Sequence, residues 1–399
     1  MEHFAVITAL CRAALSTPSE AARRQVERLR DALIADNEKE QAKTIASLLS
    51  PADRTAPMTP SRLIRSGMAV VGEELTPRTI LPVDKESANP LCQILFPDIL
   101  PDIPPILDSE VAGAVSSLLE EWSNLELLEG IGVSPSRSCL IYGMPGTGKT
   151  QLALWMAGQL SLPVVLARLD GLISSFLGTT SRNISALFAF ASRYHCLLLL
   201  DEFDAIAKLR DDPQEVGEIK RVVNAVLQNL DARKPIGLTI GITNHEALLD
   251  PAIWRRFETQ LAIPRPSFES RVAIARSYFP PLPPEEVTLR FLAWLTENAT
   301  GAEIEMLVKS LKKRVILSGP SESTPLDAIT QFLALHSGRI HQEKRELLRL
   351  APEDLARKLI EHPTLGFDQT DLATLFGKDK TTISRWLRRE TRSRLTAQR

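Results

Sequence analysis

The sequence is short of cysteine, of net charge and of long apolar runs, and each shortage excludes something. Its four cysteines, Cys11, Cys92, Cys139 and Cys196, lie far apart with no CxxC pair. In a chain of 399 residues that is neither a zinc ribbon nor a disulfide framework, and it points to a reducing, cytoplasmic compartment. No stretch approaches the ~18 apolar residues of a membrane span. The run ILFPDILPDIPPIL is cut by Pro97, Pro101, Pro104 and Pro105, so no membrane partner is expected. Glu2 and His3 stand where a signal peptide would be basic, so the first apolar stretch reads as an amphipathic helix. Lys+Arg number 47 against 49 Asp+Glu, a formal charge of −2. That balance excludes a uniformly basic nucleic-acid binder or an acidic solvating chain, though not local patches. Glycine (19) and proline (27) are too few and dispersed for a fibrous chain. Six histidines lack any GxSxG or HExxH context, so a protease is not expected. There is no internal repeat.

What is present is a 44% hydrophobic, 24% charged chain long enough for two or three domains. Residues 1–50 read as a helical region with seven basic and seven acidic residues. Residues 51–107 read as a proline-broken, irregular linker. Asp108 or Ser109 can cap a helix, and between Pro97 and Gly130 there are eight acids and no Lys or Arg. From there to 264 short apolar runs (CLIYG, PVVLARL, CLLLLDEF, GLTIGITN, TQLAIP) alternate with helical segments. This is the signature of an α/β fold with buried parallel strands. Residues 265–318 read as helical, 319–365 as a helical connector, and 366–399 as a small all-α basic tail.

GMPGTGKT fills Gly143, Met144, Pro145, Gly146, Thr147, Gly148, Lys149 and Thr150, a phosphate-binding loop between a strand and a helix. Its glycines turn backbone N–H groups onto phosphate oxygens, Lys149 adds a point charge, and Thr150 can ligate Mg²⁺. CLLLLDEFD then delivers Asp201 and Glu202 to the carboxyl end of the sheet, 52 residues after Lys149. Asp201 would hold the Mg²⁺ shell and Glu202 would polarise the attacking water. Asn244, ending GLTIGITN, could reach the γ-phosphate or that water. In LDPAIWRRFE, Arg255 and Arg256 stand where arginine fingers would neutralise the γ-phosphate of a neighbouring subunit.

In this order and spacing, these motifs resemble the Walker A, Walker B, sensor 1 and second-region-of-homology motifs of AAA ATPases, over roughly 135–315. The resemblance implies a P-loop parallel-sheet core (108–264) with a helical lid (265–318). It implies ATP and Mg²⁺ as ligands, and a homo-oligomer, typically a hexamer, with Arg255 and Arg256 acting in trans. TGAEI places Gly301 and Ala302 at the start of the sensor 2 helix, and the adenine pocket is expected around Ile131–Val133. Phe176, Leu177 and Gly178 look like the first pore loop, whose aromatic grips a polypeptide, and 217–231 resembles the helix behind the second. The implied function is ATP-driven remodelling or unfolding of a protein partner through a central pore.

The tail suggests an alternative. QTDLATLFGKDKTTISRWLRR fits a helix-turn-helix with Leu372, Ala373, Phe376, Ile383, Trp386 and Leu387 inward and Gly377 at the turn. Thr381, Thr382, Ser384, Arg385 and Arg388 then point outward, as residues that contact DNA do. From Lys378 onward eight basic residues face two acids, a net +6. The alternative is therefore a DNA-associated ATPase that assembles on DNA through its tail.

Overall fold

The computed structural model describes residues 20–35, 38–49, 72–168, 177–203, 216–233, 236–318, 324, 326–327, 329–330 and 342–396. The chain divides into two units, Met1–Ala69 and Val70–Arg399. In the first, α1 (Glu20–Ala35) and α2 (Lys39–Leu49) form a helical hairpin, with Val26, Leu33, Ala42 and Ile45 buried. Among the described residues no helix is long and apolar enough to cross a membrane.

The second unit is built on six strands: β1 (Gln93–Leu95), β2 (Ser138–Tyr142), β3 (Val164–Arg168), β4 (Leu197–Asp201), β5 (Leu238–Thr243) and β6 (Thr259–Ala262). Their order is β1-β3-β4-β5-β2-β6. All pairs are parallel except β1 on β3. The five apolar runs read from the sequence are thus the five parallel strands. They are uniformly apolar because both faces are covered, and alternation sends neighbouring residues to opposite layers. Leu198 and Leu200 pack with α6 (Leu177–Ala191) and α7 (Val216–Ala232). Leu197 and Leu199 pack with α3 (Ser109–Ser123) and α5 (Lys149–Gln159). Between α3 and β2 lies the short α4 (Leu125–Gly130). Within the stretch read as an irregular linker, Leu75, Leu91 and Cys92 are buried in the core and residues 93–95 form the antiparallel edge strand. Three residues carry too little periodicity to be read as a strand; pairing with β3 makes them one.

After the four-residue α8 (Pro251–Trp254) and β6, the chain is helical: α9 (Phe268–Tyr278), α10 (Glu286–Leu295) and α11 (Gly301–Ser318). Then come α12 (Gln342–Leu347), α13 (Pro352–Glu361), α14 (Gln369–Phe376) and α15 (Lys380–Thr396). Leu355, Leu359, Leu372, Leu375, Phe376 and Ile383 join one hydrophobic core with Leu289, Phe291, Leu292, Ile304 and Leu307. The tail is therefore seated on the lid. Trp294 Nε1 donates to His362 Nε2 at 3.0 Å, and Arg290 lies over the Phe367 ring at 5.3 Å.

Candidate active site

Parallel pairing aligns the carboxyl ends of β2, β5 and β4. Tyr142 pairs with Thr243, and Leu200 with Gly241. The phosphate-loop sequence, Asn244 and the Asp201–Glu202 pair therefore emerge side by side, which is where an open α/β sheet binds its ligand. Gly143, Gly146 and Gly148 all have positive φ. At Gly146 an added Cβ would lie 2.9 Å from Ala302 Cβ and 3.0 Å from Thr300 Oγ1. Glycine is required there because the amino end of α11 rests directly on the loop, with Ala302 N donating to Gly146 O at 3.1 Å. Gly301 and Ala302, expected at the nucleotide, thus meet the phosphate loop itself.

Lys149 is buried, and its Nζ donates to Gly143 O at 2.9 Å and Met144 O at 2.8 Å. Thr147 Oγ1 donates to Met144 O at 2.9 Å. Thr150 Oγ1 donates to Asp201 Oδ2 at 3.0 Å. A hydroxyl and a carboxylate in contact are an all-oxygen donor set, the chemistry that suits Mg²⁺. Asp201 Oδ1 accepts from Glu202 N at 2.9 Å. Glu202 has φ of +57°, a conformation that is strained for a residue with a Cβ. Directly after it, Phe203 N donates to Ile242 O at 2.8 Å. These two bonds turn the chain sharply off β4 at Glu202.

Beside the loop a mostly apolar cleft is lined by Ile106, Leu107, Thr147, Pro264, Ile274 and Gly301, with Asp108 at its wall. Ile131 and Val133 do not line it; they stand exposed. The cleft adjoins the loop through Thr147 and Gly301. Asp108 takes the N-cap position of α3 without making the capping bond. Its carboxylate instead accepts from Ser270 Oγ at 2.5 Å and Ser267 N at 3.3 Å. Partial burial opposes ionisation, but the bonds from Ser270 and Ser267 outweigh it and hold the Asp108 carboxyl below its ordinary range. Asp108 thus bridges the sheet domain to α9, a pairing across 162 residues that helix-capping rules do not reveal.

The two arginines expected to act together are separated by their contacts. Arg256 Nε pairs with Asp231 Oδ1 at 2.6 Å, and Asp231 closes α7 of the same chain. Arg255 is exposed; its backbone N donates to Pro251 O at 3.2 Å, and its side chain makes no hydrogen bond or ion pair among the described residues. Phe176 lies outside the described residues; Leu177 and Gly178 open α6, their side chains also outside that set. In the tail, Gly377 has φ of +61° between α14 and α15. Thr381 Oγ1 donates to Asp379 Oδ1, and Thr382 donates through N at 2.8 Å and Oγ1 at 3.3 Å. The Thr381 hydroxyl, followed by the Thr382 amide, pulls the Asp379 carboxyl down to about 2. Arg385 and Arg388 are exposed, and Ser384 is half-buried.

Residues 139–265 match the ATPase family associated with various cellular activities (AAA). This part of the chain is an AAA-family ATPase domain. The chain is similar to an uncharacterized AAA family ATPase of Sinorhizobium fredii, 40% identical over 161 residues, covering 40% of this chain and 49% of that protein. It is similar to the proteasome-activating nucleotidase of Methanopyrus kandleri, 31% identical over 237 residues, covering 57% and 54%. Against the proteasome-activating nucleotidase of Saccharolobus solfataricus it is 29% identical over 303 residues, covering 72% and 75%. The chain thus spans about half the length of the first two of these relatives. The AAA match begins in β2 and ends just past β6, so it contains the loop, both acids, Asn244 and both arginines.

Proposed function

We propose that this chain hydrolyses ATP with Mg²⁺ in a homo-oligomer, probed best as a hexamer, and uses the energy to remodel a protein partner. The observation that carries the reading is the convergence of Lys149, Thr150, Asp201, Glu202 and Asn244 at the ends of three adjacent parallel strands. Phosphoryl transfer to water needs positioning and charge neutralisation rather than covalent chemistry. Mg²⁺ held by Thr150 and Asp201 would neutralise phosphate oxygens. Lys149 and the backbone of the loop hold the β/γ-phosphates, Glu202 orients the water and accepts its proton, and Asn244 senses the γ-phosphate. The apolar cleft takes the base. Arg255 is exposed on its own chain, which supports its service to a neighbouring copy's nucleotide.

The protein-directed part of the proposal is supported by the archaeal relatives, whose names describe activation of a proteasome. It is supported too by the sequence of the Phe176-Leu177-Gly178 segment. The test is phosphate release from Mg-ATP together with pull-down of partner proteins by the full chain. Turnover should rise with protein concentration as copies assemble. Phe176→Ala should keep turnover and lose partner remodelling. Concentration-independent turnover would remove the oligomer, and remodelling that survives Phe176→Ala would remove threading.

A second reading, association with DNA through the tail, is favoured by one feature: two helices meeting at a left-handed glycine with Arg385 and Arg388 exposed on the second. Arg385 and Arg388 supply the positive charge of this face, so they carry this reading. The double variant Arg385→Ala/Arg388→Ala should weaken duplex binding and reduce the salt slope of log K by about two. Unchanged duplex binding would sink it.

A further inference from the structure

Phe257 immediately follows Arg255 and Arg256, and it is 1% exposed. Its ring meets the ring of Phe203 edge-on, centroids 5.8 Å apart at 80°. Phe203 in turn immediately follows Glu202 and is fully buried. Gly241, in the middle of β5, makes room for this contact: a Cβ there would lie 2.6 Å from Phe257 Cζ. Phe203 N is bonded to Ile242 O, the next residue of the same strand. The far side of the arginine turn is held as well. Gln260 Nε2 donates to Trp254 O at 3.2 Å and Phe257 O at 3.1 Å, and Arg256 is tied to Asp231.

We propose that Phe257 is a positioning residue that couples Glu202 of one site to the Arg255 offered to the next. The inference rests on the reading of Arg255 as acting in trans. Interiors are close-packed, so a buried ring cannot move without displacing what it touches. When the backbone at Glu202 relaxes from φ of +57°, Phe203 moves with it. Phe203 meets the arginine turn through the edge-on contact with the Phe257 ring. Gly241 closes the other side, and the turn, clamped by Gln260 and Asp231, shifts as a unit with Arg255 on it. The state of the glutamate in one copy therefore sets the reach of the arginine toward its neighbour, through a chain of direct contacts.

Two full-length variants mixed in equal amounts test this. Glu202→Gln copies cannot hydrolyse but still offer Arg255; Arg255→Ala copies keep Glu202 but offer no arginine. Each alone is expected to be nearly inactive, and the mixture should regain turnover at interfaces where the first serves the second. Phe257→Leu is then added to one partner at a time. Coupling predicts about a tenfold fall in regained kcat whichever partner carries it, with KM for ATP within twofold of the unmodified mixture. A purely structural role would raise KM along with lowering kcat. Phe257→Met, which keeps most of the volume, gives the same readout if Phe257→Leu fails to fold. A fall only when the arginine-supplying partner carries the change, or no fall at all, overturns the coupling while leaving Arg255 in trans. A mixture that regains no turnover with Phe257 intact overturns both.

Discussion

Glu202→Gln is expected to bind ATP as the unmodified chain does and to lose turnover by about a hundred- to ten-thousand-fold, the range a general base contributes. Glutamine has the same shape and keeps the backbone position, which is fixed by the bonds from Glu202 N to Asp201 and from Phe203 N to Ile242. It cannot accept a proton from water. Because Lys149, Thr150 and Asp201 are untouched, nucleotide affinity should stay within a few-fold, measured by equilibrium binding of a fluorescent ATP analogue. Single-turnover phosphate release gives the chemical step. Turnover that remains within tenfold would remove Glu202 from the reaction and leave its positive φ without a catalytic reason.

Arg255→Ala is expected to lower kcat by about a thousandfold or more, the range of an arginine that stabilises transferring phosphate charge in trans. Arg256→Ala should cost less. Arg256 is held by Asp231 in its own chain, so its loss acts on the placement of the turn rather than on the phosphate. Both side chains of that pair are about half exposed, where ion pairs contribute modestly. Steady-state kinetics at protein concentrations that saturate assembly separate the two variants. Equal losses would mean that both arginines reach the neighbouring phosphate and that the Asp231 pair does not sort them. An Arg255→Ala chain with normal kcat would remove the trans arginine altogether.

Much of the site could be read from the sequence because its chemistry is local. A loop that needs glycine at three positive-φ positions writes those glycines into the chain, and a lysine and threonine follow at fixed spacing. Apolar runs of four to six residues mark strands buried on both faces, and the acids at the end of CLLLLDEFD sit where the run stops. The same locality explains the tail. Gly377 at a helix end, with Leu372, Phe376, Ile383 and Trp386 at helical spacing, describes two packed helices, as found.

Other features had no local signal. Asp108 looks like a helix cap in sequence, yet its carboxylate serves Ser267 and Ser270. The cleft beside the loop is lined by residues as far apart in sequence as Ile106 and Gly301. Arg255 and Arg256 are chemically equivalent neighbours, and among the described residues it is the pair with Asp231 that distinguishes them. Gly241 stands in mid-strand with the Phe257 ring filling the space a Cβ would take.

The sequence by itself determined the phosphate loop, the strand-end acids and the small net charge that hides an acidic stretch and a basic end. These depend on backbone conformation and composition within short windows. Tertiary structure alone decided which of the two arginines is paired within its own chain, where the cleft beside the loop opens, and how the tail packs on the helices before it. Those outcomes depend on side chains tens to hundreds of residues apart meeting across packed faces. No spacing rule encodes such a meeting, because it is fixed only when the sheet order and the helix layers bring the two surfaces together.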